Sequence, residues 1–172
     1  MQLLLFEHTR AKRDIDDSIG VFAGALERSN RMAPKYLNLL RGYSEALNQR
    51  FNLTGDKLDI EKAITAIDKA RESLSGDEHR ELDMTLAEFL FCRFKILGID
   101  RKGLEKAIEL GESVISHQIE PQRCEWLNKH TNHLRARFKA QGNRTDLEIT
   151  IAYIKNALEI TFKDIKDFKE NI

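Results

Sequence analysis

The chain has few of the residues that interrupt helices or cross-link a fold. Its 172 residues include only 2 prolines and 2 cysteines, and short alternating runs of β-branched residues are almost missing. These absences argue against strands and favour an all-α fold. The cysteines, Cys92 and Cys124, fall in different helical segments, which is typical of reduced thiols in a cytoplasmic protein and not of a disulfide framework.

A net charge and a long apolar run are also missing. The 28 basic side chains equal the 28 acidic ones, so the chain has no bulk attraction to nucleic acid or to an anionic membrane. No apolar run approaches the roughly 20 residues that a membrane span requires. The start, MQLLLF, is too short for a signal peptide and lacks its basic flank and cleavage site. We therefore expect a cytoplasmic protein without nucleic-acid or membrane partners.

What the sequence does contain is a repeated unit, best seen over residues 50–70, RFNLTGDKLDIEKAITAIDKA. An apolar stripe at helical spacing ends at Phe51, and a second stripe begins after the turn. Gly55 can take the left-handed conformation that closes a helix. Asp59 and Glu61 stand where the next helix starts, and carboxylates there favour its free amides and its dipole. The unit is predicted to be a helical hairpin.

The unit recurs at a nearly constant interval. Phe6, Phe51, Phe94 and Phe138 are separated by 45, 43 and 44 residues. Four residues after each Phe stand Arg10, Gly55, Gly98 and Gly142, and an arginine precedes three of them as Arg50, Arg93 and Arg137. A two-helix unit with a period near 44 residues indicates an α-solenoid of about 3.5 antiparallel hairpins. We predict one domain, 1–172, with repeats at 1–30 (incomplete), 31–75, 76–118 and 119–172.

The first repeat is short. Only five residues precede Phe6, so residues 14–28 are expected to form a second helix whose neighbouring first helix is missing. One interpretation is that the chain is a fragment or a shortened version of a longer array. The other is that the exposed face of this helix meets a partner or a second copy of the chain, with Val21 and Phe22 in a homodimer contact.

Several motifs resemble a known family. The second repeat reads Tyr36-Leu37-Asn38-Leu39-Leu40, then Leu47, Arg50-Phe51, Thr54-Gly55-Asp56 and Asp59 through Ile64, and the fourth echoes it with Trp126-Leu127-Asn128, Arg137-Phe138, Gly142-Asn143 and Asp146-Leu147. This pattern is similar to the tetratricopeptide-like (TPR) repeats of long fungal receptor-type proteins, which are often joined to nucleotide-binding or caspase-like CHAT modules. The third repeat departs from it, since Asp83 stands at an apolar position. The resemblance implies a non-catalytic scaffold that binds a protein or peptide.

A partner surface is predicted on the concave side of the first helices. The positions ten, six and three residues before each Phe lie opposite the apolar stripe. They are Arg41, Glu45 and Asn48 in the second repeat, Met84, Glu88 and Phe91 in the third, and Asn128, Asn132 and Arg135 in the fourth. The apolar Met84 and Phe91 suggest a surface that a partner covers; the alternative is that they pack against adjacent helices.

Signs of chemistry are weak. His130 and His133 share a helical face with Cys124 nearby, but a tetrahedral metal site needs a fourth ligand, so we expect a structural, half-buried His130 with hydrogen-bonded nitrogens. No glycine-rich phosphate loop occurs, and we expect no cofactor and no enzyme activity. The recurring arginines could form a ladder for an acidic ligand, or each could pair with a nearby carboxylate or cap its helix end.

Overall fold

A computed structural model describes residues 2–30, 34–98, 100–117 and 122–170. In these ranges there is no strand, and the helices are α1 (Gln2–Arg28), α2 (Pro34–Thr54), α3 (Lys57–Arg71), α4 (Gly76–Leu97), α5 (Arg101–His117), α6 (Gln122–Gln141) and α7 (Arg144–Glu170). The prediction of an all-α fold is confirmed. None of these described helices combines the length and the apolar character needed to cross a membrane.

The helices pack in the order of the chain. Each contacts its neighbours in sequence, and α2 also contacts α4, which in turn contacts α6. The described parts of α1 and α7 do not contact each other. We call α2, α4 and α6 the first helices and α1, α3, α5 and α7 the second helices. Between them the core is apolar, with Leu47, Phe51, Ile60 and Ile67 fully buried.

Each connection from a first to a second helix uses the same glycine geometry. Gly55, Gly98 and Gly142 have φ angles of 71°, 70° and 72°. Their amides donate to the carbonyl oxygens of Phe51, Phe94 and Phe138, each at 2.8 Å. The cap predicted at Gly55 is confirmed, and it recurs because only glycine adopts this conformation without a steric cost.

The start of the chain differs from the predicted pattern. α1 is continuous from Gln2 to Arg28, whereas the sequence predicted a separate helix over residues 14–28. Arg10 stands where the other copies have the capping glycine, and a residue with a Cβ does not favour the left-handed turn. α1 packs against α2, where the ring of Phe22 lies beside Gly42. Phe22 is therefore half-buried within the chain, whereas Val21 is 70% exposed.

Some predicted helix ends fall on residues without a description. The sequence also predicts that the first helix of the second repeat begins at Met32 and that Pro121 opens the fourth repeat, and both residues lie outside the described residues. The tail extends the last helix, because α7 continues without a break to Glu170.

Candidate interaction surfaces

The recurring arginines bind carboxylates at the start of the following helix. Arg50 donates from Nε and Nη2 to the two oxygens of Asp59, both at 2.7 Å. Arg137 binds Asp146 in the same way, at 2.7 to 3.2 Å. The two aspartates are only 2% and 0% exposed. Asp59 therefore binds Arg50 and does not cap the free amides of α3, although the sequence predicted that it would. The cap is Asp56, which accepts from the Leu58 amide at 2.9 Å.

The same guanidinium groups also reach the preceding second helix. The pairs are Arg50 with Asp16 at 2.7 Å, Arg93 with Glu61 at 2.9 Å and Arg137 with Glu105 at 2.6 Å. Hydrogen bonds that Arg50 donates to Asp59 and then to Asp16 raise its pKa above the ordinary value, and those that Arg137 donates to Asp146 and Glu105 do the same for Arg137. Each arginine thus joins three successive helices. Of the two interpretations left open by the sequence, pairing with nearby carboxylates is the one observed.

The third hairpin makes this contact with a different residue. Arg93 donates from Nε to Oδ2 of Asp100 at 2.7 Å. Oδ1 of the same carboxylate accepts from the Gly103 amide at 2.9 Å. Asp100 thus combines two roles, helix cap and arginine partner, that separate residues hold in the other two hairpins.

The predicted partner surface is only partly open. On α2, Glu45 is exposed and Asn48 half-buried, while Arg41 lies 3.6 Å from Glu81 of α4. On α4, Met84 is 2% exposed and belongs to the core, which corrects its assignment to an open groove.

Glu88 and Phe91, the other two predicted positions on α4, turn toward α6. Oε1 of Glu88 lies 3.3 Å from Nε2 of His133, and the Phe91 ring is 4.7 Å from the His133 ring. This row of α4 faces the next first helix because α6 packs beside it. The packing alternative noted for Met84 and Phe91 is therefore the one observed.

The corresponding row on α6 is the most accessible of the three. Asn128 and Arg135 are exposed, and Asn132 is half-buried. Arg135 donates to Asn132 at 3.0 Å, and Asn132 donates to the Asn128 carbonyl at 3.1 Å. No further first helix follows α6 in the described chain, and Asn128 of this row lines a cavity between α6 and α7.

Two histidines of α6 are fully buried. His130 and His133 lie edge to face with ring centroids 6.0 Å apart, and the Tyr153 ring is 5.6 Å from His130. Among the described residues, neither ring nitrogen of His130 has a hydrogen-bond partner, which corrects the expectation of a half-buried, hydrogen-bonded side chain. Burial, with smaller effects from His133 and Arg137, lowers the pKa of His130 to about 4.

The sequence also raised a metal site near His130, His133 and Cys124. In the described part of the chain, no three His, Cys, Asp or Glu side chains are grouped so that they could hold a metal ion. Cys124 is half-buried and lines a different feature, a cavity of about 280 Å³ between α6 and α7.

The last second helix has an exposed apolar face, whereas most of the equivalent residues on α3 and α5 are buried. We call it the α7 face; its members are Leu147, Ile151, Ile154 and Leu158, which are 37%, 54%, 48% and 52% exposed. Counted from the Phe of each hairpin, the equivalent residues include Ile60 and Ile67 on α3 at 0%, and Leu104 and Ile108 on α5 at 0% and 2%. On α3 and α5 a following first helix covers these positions. The repeat pattern in the sequence identifies this apolar stripe but does not show that it stays exposed.

Comparison of the chain with models of protein families gives no match, and comparison with curated proteins gives none either. The resemblance to TPR-like repeats therefore stays a prediction.

Proposed function

We propose that the protein is a non-catalytic, TPR-like α-solenoid module that binds a protein or peptide along its first helices. The observation that carries the proposal is the arginine contact that joins each hairpin to the one before it, made three times from Nη1 of the arginine to a carboxylate. A chain that uses one inter-hairpin contact repeatedly builds a row of equivalent helices, and repeat arrays present such rows as extended binding surfaces. The repeat architecture supports binding without itself naming a partner.

The accessible polar side chains of the first helices form the proposed contact surface. Arg41 and Glu45 represent it on α2, and Asn132 and Arg135 on α6. Arg41 and Arg135 are cations with at most partial cover, so they can pair with carboxylates of a partner that reaches both ends of the row.

Selection from a displayed peptide library tests this proposal. Peptides enriched on the wild-type chain are expected to bind the double variant Arg41→Glu and Arg135→Glu at least about tenfold more weakly, because two cations in the contact become anions. The matched control carries two reversals of exposed cations on second helices, Lys62→Glu and Lys102→Glu. Binding to the control should stay unchanged. Peptides that lose affinity for the control, and not for the first variant, would contradict the proposal.

A further inference from the structure

The α7 face has the same apolar pattern as a stripe of residues on α1. Its members Leu147, Ile151, Ile154 and Leu158 correspond, counted from Phe138 and from Phe6, to Ile15, Ile19, Phe22 and Leu26 of α1. Both sets are apolar at all four positions. On α3 the fourth position is Arg71, and on α5 the third is Gly111. A helix that packs on the α1 stripe is therefore expected to be complementary to the α7 face as well.

That guide is α2. It covers the α1 stripe, reducing Ile19 to 8% exposure and bringing Gly42 against the ring of Phe22. Its Arg50 donates to Asp16 of α1 at 2.7 Å, just beside the stripe. An arginine of the following first helix thus accompanies the apolar contact.

The α7 face carries the matching acid. Glu148 occupies the position that Asp16, Glu61 and Glu105 hold in the earlier second helices, ten residues after the Phe or eleven in the longer third turn. Those three carboxylates each bind an arginine. Glu148 is exposed, and no ion pair links it to another described residue. An apolar stripe with this acid beside it is complementary to an amphipathic helix with an arginine in the register of Arg50.

We infer that the α7 face binds a helix of a partner protein, with apolar residues on one side and an arginine that pairs with Glu148. We do not expect a second copy of this chain to supply this helix, because its Arg50, Arg93 and Arg137 are already bound to carboxylates within their own chain. The inference goes beyond the proposed function, since it concerns the end of the row of hairpins and not the surface along the first helices.

A labelled peptide of residues 34–54, the sequence of α2, is the probe. Fluorescence anisotropy should show saturable binding to the full chain, weakened about tenfold or more by Glu148→Arg, since the arginine of the peptide then meets a like charge. A peptide with Arg50→Glu should bind the wild type equally poorly and regain affinity for Glu148→Arg. This exchange of charges identifies the pair and not merely the face.

Ile151→Asp separates docking from unfolding. Because Ile151 is 54% exposed, the variant should keep the helical circular-dichroism spectrum and unfolding midpoint of the wild type while losing the peptide. Absence of saturable peptide binding to the folded chain overturns the inference, as does binding that ignores both Glu148→Arg and Ile151→Asp. A dimer in sedimentation that Ile151→Asp dissociates also overturns it, because a second copy would then be the occupant. Failure here leaves the library experiment on the first helices unaffected.

Discussion

The carboxylate of Asp100 fills the space in which a side chain on Gly103 would begin. A Cβ at residue 103 would lie 1.9 Å from Oδ2 of Asp100 and 3.1 Å from a nitrogen of Arg93. In the other two hairpins the equivalent residue is the aspartate that binds the arginine, Asp59 or Asp146. In the third hairpin that aspartate is replaced by glycine, and the carboxylate comes from three residues earlier.

Gly103→Ala is expected to destabilise the fold, although alanine favours helices. The methyl group must displace Asp100 from Arg93, and overpacking of this kind costs about 1 to 3 kcal/mol. Urea unfolding followed by circular dichroism measures the change. Gly20→Ala in α1 is the matched control: apart from its chain neighbours and the backbone of its own helix, no described atom lies within 4 Å of its Cβ position, so it should gain about 0.5 to 1 kcal/mol from helix propensity.

The double variant Asp100→Asn and Gly103→Asp should restore what Gly103→Ala loses. It copies the fourth hairpin, where Asn143 accepts from the Thr145 amide and Asp146 binds the arginine. We expect its urea midpoint to lie closer to the wild type than that of Gly103→Ala. A midpoint below that of the alanine variant would show that the third turn, with its extra residue, cannot place a carboxylate at position 103.

Arg137→Met should be strongly destabilising. Asp146 is 0% exposed and would keep a buried charge without its partner, a loss that costs about 3 to 5 kcal/mol. Arg135→Met on the same helix is the control, because Arg135 is exposed and should change the free energy of unfolding by less than about 0.5 kcal/mol. Equal effects in guanidinium unfolding would mean that the Asp146 contact contributes little.

The hairpins and their turns could be predicted because they depend on local rules. Apolar spacing fixes which face of a helix is buried, and Gly55 supplies a conformation that few residues adopt. The sequence also showed that Arg50, Arg93 and Arg137 recur, but not what they bind. Their partners lie up to 34 residues away on other helices, so only the packed structure distinguishes a free ladder from paired charges.

The individual surface residues were harder to predict because the rotation of each helix depends on its neighbours. Met84 was predicted to line an open groove, but it lies in the apolar core between packed helices. Its equivalent on α6, Asn128, is exposed and lines the cavity between α6 and α7. The same position in a repeat thus has a different environment in the middle and at the end of the row.

His130→Leu should stabilise the protein and flatten its response to acid. The pKa of His130 is lowered from 6.5 to about 4, so below pH 6.5 the unfolded chain takes up a proton that the folded chain does not. Stability is therefore retained above pH 6.5 and falls as the pH drops toward 4, by about 3 kcal/mol from this group. In the folded chain, His133 and Arg137 also lower the pKa of His130, while Asp146 raises it.

Leucine is the natural replacement, since Leu86 holds the equivalent position in α4 and is buried. It also removes two ring nitrogens that have no hydrogen-bond partner among the described residues, which should add about 1 to 2 kcal/mol at neutral pH. Urea midpoints at pH 7, 5.5 and 4.5 give the comparison. Parallel losses for the wild type and the variant would show that another group sets the acid response.

Substitutions at two adjacent residues of α1 test the homodimer, which is one of the two interpretations that the sequence leaves open for this helix. Val21→Asp places a charge at a side chain that is 70% exposed, so the monomer should keep its unfolding midpoint. Phe22→Asp should destabilise the chain, because the half-buried Phe22 ring packs against Gly42 of α2 and the variant replaces that apolar contact with a charge. Sedimentation velocity at several concentrations then gives a clean answer from Val21→Asp alone. A dimer that Val21→Asp dissociates supports contact through α1, whereas a wild-type monomer at every concentration, or a dimer indifferent to Val21→Asp, removes that contact.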